Sequence, residues 1–319
     1  MKKCAVGVDL GGTNIRAVLA DDDGKMGPRL HEETCAEKGP EHVANKIADL
    51  VQQLVAQAAN TCEIVGIGIG SPGPLSRKRK MIFQTPNLPG FENYPLGQRV
   101  EDMCGIPVSL DNDGNCAAHG EHMFGVARGV KEFFMLTIGT GIGGGIFSKD
   151  KMIHGKSDGA AEIGHLCLYP GGIKCNCGRT GCFEQYCSAT AIERRAAKAL
   201  NKKTTVPELF WAHEAGNQDA SKCLEEVAQD FSIGLGSLIN LLEPEMIVMG
   251  GGAFSTGGGP LIPMITERLV GQAFPSSLAD LKIVSGKLRG NSGVLGAAAL
   301  AFKQRAKLEE PLIASQSVR

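Results

Sequence analysis

The pattern of apolar and polar positions predicts alternating strands and helices. The segments "KCAVGVDL", "EIVGIGIGS", "EFFMLTIG" and "EPEMIVMG" are short apolar runs followed by turn residues, which is typical of buried strands. The segments "PEHVANKIADLVQQLVAQA", "CLEEVAQDFSIGLGSLINLL" and "GVLGAAALAFKQRAKLEE" repeat apolar residues every three or four positions, which predicts helices. A further helix is predicted to begin at "ITERL". The pattern therefore predicts an α/β protein.

A unit of strand, glycine turn and strand occurs twice. A shift of 128 residues lays Thr137 on Asp9 and Gly139 on Gly11. Such internal similarity indicates one structural plan used in both halves of the chain.

The length of 319 residues suits two domains of ordinary size. We predict a small α/β domain over residues 1–115 and a larger α/β domain over residues 116–299. A helix over about residues 300–319 is predicted to pack back on the first domain.

Charge and hydropathy restrict the class of partner. The formal net charge is −1, which gives no electrostatic reason to expect nucleic acid, and no apolar run reaches the roughly 20 residues of a membrane span. Eleven cysteines and the absence of a signal-peptide pattern predict a cytoplasmic protein in a reducing compartment. The basic run "RKRK" at 77–80 is predicted to be a solvated loop.

The two glycine turns are candidate phosphate sites, because a turn that exposes several backbone N–H groups binds phosphate oxygens. The first turn is Gly11, Gly12 and Thr13, and the second spans residues 139–145. Ordinary hairpins are the alternative for each turn. Asp9, at the end of the first strand, could hold Mg²⁺ through water or hydrogen-bond its own turn.

Two phosphate motifs are excluded. Gly139, Gly141 and Gly144 satisfy GxGxxG, but a strand rather than a helix is predicted to follow them. The segment "HGKS" ends like a Walker A loop, but Asp150 stands where the first glycine is required.

The acidic segment "SLDNDGN" follows a predicted strand and precedes a predicted helix. Asp113 is our candidate for the carboxylate that accepts the proton of an attacking hydroxyl in phosphoryl transfer. Capping of the helix by this cluster is the alternative, and different members of the cluster can serve both purposes.

The segment "EIGHLCLYPGGIKCNCGRTGCFEQY" contains a candidate zinc site. His165, Cys175, Cys177 and Cys182 have the density of a closed structural Cys₃His site, with no open position for a reactive water. Cys167 and Cys187 are rival ligands. The alternative interpretation is a set of unrelated free cysteines that bind no metal. The nearby carboxylates of Glu162 and Glu184 are not needed for zinc, so both could accept hydrogen bonds from a polyol.

The motifs "DLGGTNIR", "SPGP", "NDGN", "TIGTGIGGG", "EIGH" and "CNCGRTGCFE" stand in the order of the ROK family of sugar kinases. The chain resembles this family over nearly its whole length, and its glucokinases most of all. The resemblance implies the actin-like, hexokinase-like (ribonuclease H-like) ATPase fold, with two α/β domains around a cleft. The chain departs from the family pattern at Ala161, where glycine is usual, and at Gly114, where alanine is commoner.

The resemblance also implies roles for individual residues, with Asp113 as the catalytic base. The hexose ligands are expected to be Asn87, Asn112, Asp113, Glu162, His165 and Glu184. The nucleotide is expected to contact Gly11, Gly12, Thr13, Thr140, Gly141, Gly251 and Gly252. Its Mg²⁺ is expected near Asp9, from the position of that residue beside the first turn. The zinc ligands are expected to be His165, Cys175, Cys177 and Cys182.

The expected activity is ATP-dependent phosphorylation of the 6-hydroxyl of glucose, a step of glycolysis, by a homodimer or homotetramer. Kinases of the same family that act on N-acetylmannosamine, N-acetylglucosamine, allose or fructose are the alternative within the enzyme class. A sugar-responsive repressor is less expected, because the first strand starts by Cys4 and leaves no room for a helix-turn-helix domain. A non-catalytic sugar-binding module is disfavoured by Asp113 and the two glycine turns.

Overall fold

The computed structural model describes residues 1–58, 61–83, 85, 88–254 and 258–309. The chain divides into two compact units. The first comprises Met1–Met123 together with the chain from Gly293 onward, and the second comprises Phe124–Ser292.

Among its described residues the first unit contains seven strands: β1 (Lys2–Leu10), β2 (Asn14–Asp21), β3 (Met26–Glu33), β4 (Cys62–Ser71), β5 (Leu75–Ser76), β6 (Met81–Ile82) and β7 (Val108–Asn112). Its helices are α1 (Pro40–Ala58), α2 (Leu96–Cys104), α3 (Asp113–Phe124) and the terminal α10 (Ser292–Glu309), with a 3₁₀ turn at Ala36–Lys38. The main sheet has the order β3-β2-β1-β4-β7. The domain boundary that the sequence suggested, between residues 115 and 116, falls inside α3.

Helix α1 forms because its apolar residues recur at helical spacing and Pro40 at its first position is pre-set for a helix. Val43, Ile47, Leu50 and Leu54 are buried and join the apolar cluster against the sheet. This face gives the first unit one side of its core.

Helix α10 packs closely on the sheet of the first unit, because glycines remove the side chains that would keep it away. A Cβ atom at Gly68 of β4 would lie 1.7 Å from the carbonyl oxygen of Ala297, and one at Gly7 of β1 would lie 2.1 Å from that of Val294. Gly296 of α10 likewise allows a close approach to α3, because a Cβ atom there would lie 1.5 Å from the Cys116 carbonyl oxygen. Helix α10 is therefore part of the layer that covers β1 and β4.

The second unit contains β8 (Phe133–Ile138), β9 (Ile142–Ser148), β10 (Lys151–Met152), β11 (Met246–Gly250) and β12 (Lys282–Ser285). Its helices are α4 (Glu184–Cys187), α5 (Ala189–Leu200), α6 (Val206–Glu214), α7 (Gln218–Leu242), α8 (Leu261–Arg268) and α9 (Pro275–Leu278). Short 3₁₀ turns lie at Ile163–His165, Gly252–Phe254 and Arg289–Asn291. The sheet has the order β10-β9-β8-β11-β12.

The two sheets share one plan, as the internal repeat predicted. In the first unit β1 pairs antiparallel with β2 and parallel with β4, which is parallel to β7. In the second, β8 pairs antiparallel with β9 and parallel with β11, which is parallel to β12. The glycine turns are the hairpin loops between β1 and β2 and between β8 and β9.

Two predicted helices begin earlier than the sequence suggested. Helix α7 starts at Gln218 instead of Cys223, because the Asn217 side chain caps it by accepting the N–H of Ala220. Helix α8 starts at Leu261 instead of Ile265, since a proline is tolerated in the first turn of a helix and Pro263 therefore does not delay its start.

Candidate active site

Two acidic residues lie in one row across the sheet of the first unit. Asp9 of β1 pairs with Gly70 of β4, and Gly70 pairs with Asp111 of β7. The three strands are parallel, so the row lies near their carboxyl ends, where α/β proteins place functional groups. A Cβ atom at Gly70 would lie 3.0 Å from the thiol of Cys116 and 3.8 Å from the Cα atom of Asp113. The glycine between the two acids therefore makes room for the start of α3.

Each acid of this row has an arginine partner. Arg16 lies opposite Asp9 in the β1–β2 hairpin and forms an ion pair with its carboxylate. The Nε atom of Arg77 lies 3.1 Å from Oδ2 of Asp111, which has no exposed surface. Neither arginine was singled out from the sequence. Arg16 could have been found, because the turn after Asp9 fixes which residue of β2 lies opposite it.

The start of α3 brings the predicted base and the cap together. The backbone N–H of Gly114 donates to Oδ1 of Asn112 at 2.9 Å and to Oδ1 of Asp113 at 2.8 Å. Oδ1 of Asp111 accepts the N–H of Asn112 at 2.8 Å and the side-chain amide of Asn115 at 2.9 Å. The cluster therefore does cap the helix, as the alternative held, and Asn112 is one of its caps.

Asp9, Asp111 and Asp113 form an electrostatic cluster around one buried thiol. Burial raises the pKa of the Cys116 thiol far above its ordinary value, and the negative charges of these three carboxylates raise it further. The positive charge of Arg77 acts in the opposite direction. The edge of the first unit that carries Asp113 is thus acidic and partly neutralised by arginine.

The basic run at 77–80 is not simply a solvated loop, so that prediction was wrong for two of its members. Arg77 pairs with Asp111 at the end of β7, and Lys80 pairs with Glu101. Oε2 of Glu101 also accepts the N–H of Val108, the first residue of β7, at 2.7 Å. The run therefore holds both ends of the strand that leads into Asn112 and Asp113.

The first glycine turn is a hairpin with three of its backbone groups already bonded. The N–H of Gly11 donates to the carbonyl of Asn14 at 2.9 Å, and Thr34 donates its hydroxyl to the carbonyl of Gly11 at 2.7 Å and its N–H to the carbonyl of Thr13 at 2.8 Å. The N–H groups of Gly12 and Thr13 are therefore the better candidates for contact with a phosphate group than that of Gly11. A Cβ atom at Gly293 of α10 would lie 3.4 Å from the Asp9 carboxylate, so the helix approaches the same place.

The second glycine turn lies against Glu184 of α4. The N–H of Ile142 donates to Oε2 of Glu184 at 3.0 Å, and a Cβ atom at Gly141 would lie 2.2 Å from the same oxygen. The N–H of Ala189 donates to the carbonyl of Gly139 at 2.8 Å. The turn that contains Thr140 is thus fixed by Glu184, near the end of the cysteine-rich segment, and by Ala189, which follows that segment.

Gly251 lies at the end of the second sheet that carries the turn with Thr140. It follows β11, has a φ of 88°, and a Cβ atom there would lie 2.4 Å from the carbonyl oxygen of Ile138, the last residue of β8. A side chain at Gly252 would meet open space. The structure therefore brings the two glycines predicted for the nucleotide close to the turn with Thr140 and Gly141.

The four predicted zinc ligands come together. One ligand atom from each of His165, Cys175, Cys177 and Cys182 lies within 4.8 Å of the other three. Nδ1 of His165 lies 3.8 Å from the sulfur of Cys175, and the sulfurs of Cys177 and Cys182 are 3.6 Å apart. Tetrahedral Zn²⁺ with Zn–S bonds of about 2.3 Å would place two sulfurs about 3.8 Å apart. The donor set and its spacing therefore fit zinc.

The positions of the two rival cysteines separate them from this set. Cys187 is fully buried in the apolar core of the second unit and is not part of the cluster of four. The thiol of Cys167 lies 3.8 Å from the carbonyl oxygen of Thr180 and is outside the cluster of four.

The cysteine-rich segment has a second anchor, which the sequence analysis missed. The Tyr169 hydroxyl donates to Oδ1 of Asp230 in α7 at 2.6 Å, and Arg195 of α5 forms an ion pair with the same carboxylate. The ring of Tyr169 packs edge-on against Tyr186, whose hydroxyl accepts the N–H of Ile173 at 2.9 Å. Nothing in local spacing connects Tyr169 with a helix some sixty residues later.

The remaining predicted hexose ligands differ in how much the structure shows of their surroundings. Glu162 is exposed and precedes the 3₁₀ turn that carries His165, whose N–H donates to the Glu162 carbonyl at 3.0 Å. A Cβ atom at Gly164 would lie 2.2 Å from the carbonyl oxygen of Ile142, so this turn packs on the start of β9. Asn87 lies outside the described residues. On the first unit, a Cβ atom at Gly73 of "SPGP" would lie 3.3 Å from the Asn112 amide.

A sequence model of the ROK family matches residues 5–304. The chain belongs to the ROK family. It is 33% identical over 314 residues to a glucokinase of Thermotoga maritima, covering 94% of this chain and 97% of that protein. The crystal structure of a ROK hexokinase from Thermus thermophilus is similar with a TM-score of 0.80 and 34% identity, covering 96% of this chain and 100% of that one.

A second solved ROK structure is a glucokinase from Streptomyces griseus in complex with glucose and AMPPNP. It is similar with a TM-score of 0.79 and 29% identity, and the match covers 94% of this chain and 99% of that one. These similarities confirm the actin-like, hexokinase-like α/β fold that the motifs implied. Within the part of the chain that the structure describes, no helix has the length and apolar character needed to span a membrane.

Proposed function

We propose that this ROK protein is an ATP-dependent sugar kinase that phosphorylates the 6-hydroxyl of a hexose, with glucose as the preferred substrate. The observation that carries the proposal is the position of Asp113. It follows the end of a parallel strand, starts a helix, and lies beside a row of acids that are paired with arginines. Support for glucose comes from the similarity to glucokinases, one of them solved with glucose and a nucleotide analogue.

In the proposed reaction the Asp113 carboxylate accepts the proton of the sugar hydroxyl. The hydroxyl oxygen forms a bond to the γ-phosphorus of ATP, and the bond from that phosphorus to the bridging oxygen breaks with release of ADP. Arg77 and Arg16 limit the repulsion among Asp111, Asp9 and the incoming phosphates. Asn112, Glu162, His165 and Glu184 would orient the sugar hydroxyls.

The glycine turns would hold the phosphates by backbone N–H groups, those of Gly12 and Thr13 in the first turn and of Thr140 and Gly141 in the second. Mg²⁺, when bound with the nucleotide, would offset phosphate charge, and Asp9 is the carboxylate proposed to hold it through water. Gly251 and Gly252 are proposed to lie on the adenosine side.

Zinc is proposed to have a structural role at His165, Cys175, Cys177 and Cys182. When bound it would fix the segment that carries Glu162 and Glu184, and a closed site of four protein ligands offers no position for catalysis by the metal. The cytoplasmic location and the homodimeric or homotetrameric assembly remain predictions.

The test is a coupled assay that measures ADP release with Mg²⁺–ATP and a panel of sugars: glucose, mannose, fructose, allose, N-acetylglucosamine and N-acetylmannosamine. We expect kcat/KM to be highest for glucose, with glucose 6-phosphate as the product. Preference for an N-acetylated sugar would contradict the glucose assignment and retain the kinase assignment. Absence of phosphoryl transfer to every sugar, with saturable sugar binding, would instead indicate a binding or regulatory protein.

A further inference from the structure

Glu184 contacts the turn between β8 and β9 in a way that its expected role as a sugar ligand does not require. Its Oε2 atom accepts the N–H of Ile142 at 3.0 Å. Its other oxygen, Oε1, lies 3.8 Å from the thiol of Cys175. One oxygen of the carboxylate is therefore bonded to the glycine turn, and the other faces the cysteine cluster.

The glycine at position 141 is explained by the same contact. Gly141 does not have the positive φ that favours glycine, so its backbone would accept alanine. A Cβ atom there would lie 2.2 Å from Oε2 of Glu184 and 3.1 Å from Cδ of the same side chain. Space for the carboxylate, and not backbone strain, requires glycine at this position.

The turn is also connected through the backbone to the start of α5, the helix that follows α4. The N–H of Ala189, the first residue of α5, donates to the carbonyl of Gly139 at 2.8 Å. Both ends of the turn are thus tied to the segment that follows Cys182. A shift of Glu184 would move the N–H groups of the turn, since the carboxylate is bonded to one of them.

We propose that Glu184 is a positioning residue for the phosphate turn, which couples occupancy of the hexose ligands to affinity for the nucleotide. This inference rests on the proposed function of the two sets of residues. A hydroxyl bound at Oε1 orders the carboxylate, and the ordered carboxylate holds the turn in the shape that receives phosphate. Because coupling of two binding equilibria is reciprocal, nucleotide raises the affinity for sugar by the same factor.

The first experiment measures binding of Mg²⁺–AMPPNP by calorimetry in the absence of any sugar. Glu184→Ala should weaken nucleotide binding about tenfold, because a charge-assisted hydrogen bond to the turn is lost. Glu184→Gln keeps an acceptor oxygen for Ile142 and should stay within about threefold of the wild type. Glu225→Ala removes an exposed glutamate of α7 and is the matched control. A Glu184 that only binds sugar predicts wild-type affinity for Glu184→Ala, and that result would overturn the inference.

The second experiment uses the contact with Gly141. Gly141→Ala should weaken nucleotide binding about tenfold in the wild-type background, because the added methyl collides with the Glu184 carboxylate. In the Glu184→Ala background the same change should cost less than about threefold, since the colliding group is gone. Equal losses in both backgrounds would contradict the proposed contact. A wild-type protein that binds the nucleotide but transfers no phosphoryl group would contradict the proposed function. The nucleotide affinities of the Glu184 and Gly141 variants would still test the inference.

Discussion

The Arg77 guanidinium and the Asp111 carboxylate form an ion pair, with 3.1 Å between Nε and Oδ2, at the end of the strand that leads into Asp113. Asp111 has no exposed surface, whereas 35% of the Arg77 side chain is exposed. A buried carboxylate that loses its cation is costly, because the remaining charge stays in a poorly solvated place. The pair therefore stabilises the strand end and keeps a second charge beside Asp113 neutralised.

We expect Arg77→Met to lower the free energy of unfolding by about 2 to 3 kcal/mol and to lower kcat more than it raises the KM for sugar. Urea unfolding and steady-state kinetics measure the two effects. Arg79→Met is the matched control, since Arg79 is an exposed member of the same basic run. If Arg77→Met behaved like Arg79→Met in both measurements, the ion pair would have no role in positioning Asp113.

The cluster of His165, Cys175, Cys177 and Cys182 predicts about one zinc per chain. Cys182→Ser should abolish stoichiometric zinc, measured by mass spectrometry of the metal, and should weaken hexose binding about tenfold, because the segment with Glu162 is less ordered. Cys167→Ser should retain zinc and hexose affinity. Loss of zinc in Cys167→Ser with retention in Cys182→Ser would show that the ligand set was chosen wrongly.

Zinc removal is not expected to disorder the whole cysteine-rich segment. The hydrogen bond from Tyr169 to Asp230, with Arg195 as the second partner of that carboxylate, does not involve the metal ligands. Hydrogen exchange of the chelated protein should therefore rise most around Cys175 and Cys177 and least around Tyr169.

Ala161 has a φ of 67°, in the left-handed region that alanine adopts at a cost. Ala161→Gly should raise the free energy of unfolding by about 0.5 to 1 kcal/mol, since glycine removes roughly 1 to 2 kcal/mol of strain and adds a smaller entropic cost. Ala160→Gly is the control at the neighbouring position outside that region, and it should lower stability by a similar amount. Destabilisation of both variants alike would show that the backbone at Ala161 carries no strain.

The fold and the local clusters could be predicted because their signals are local or repeated. The hairpin turns at Gly11 and Gly139 and the spacing of Cys175, Cys177 and Cys182 can be read within short windows. The caps of α3 were also foreseen as an alternative, because Asn112 and Asp113 have the side chains that bond helix N-termini.

The missed contacts join residues that are far apart in the chain. Arg77 reaches Asp111 because β5 and β7 lie close in the folded unit, and the composition of "RKRK" indicates only solvent exposure. Glu184 reaches Ile142 through the path of the cysteine-rich segment, which no periodicity describes. Gly141 was assigned to a phosphate turn, but the carboxylate that fills the space above it could be found only in three dimensions.

In the proposed mechanism Asp113 accepts the proton of the sugar hydroxyl, and the decisive variant is Asp113→Asn. Asparagine keeps an oxygen for the N–H of Gly114, which Oδ1 of Asp113 accepts at 2.8 Å, so the helix start is preserved. Glucose phosphorylation by Asp113→Asn should fall about a thousandfold in kcat, while the Kd for glucose stays within about threefold of the wild type. Turnover close to that of the wild type would show that Asp113 is not the general base.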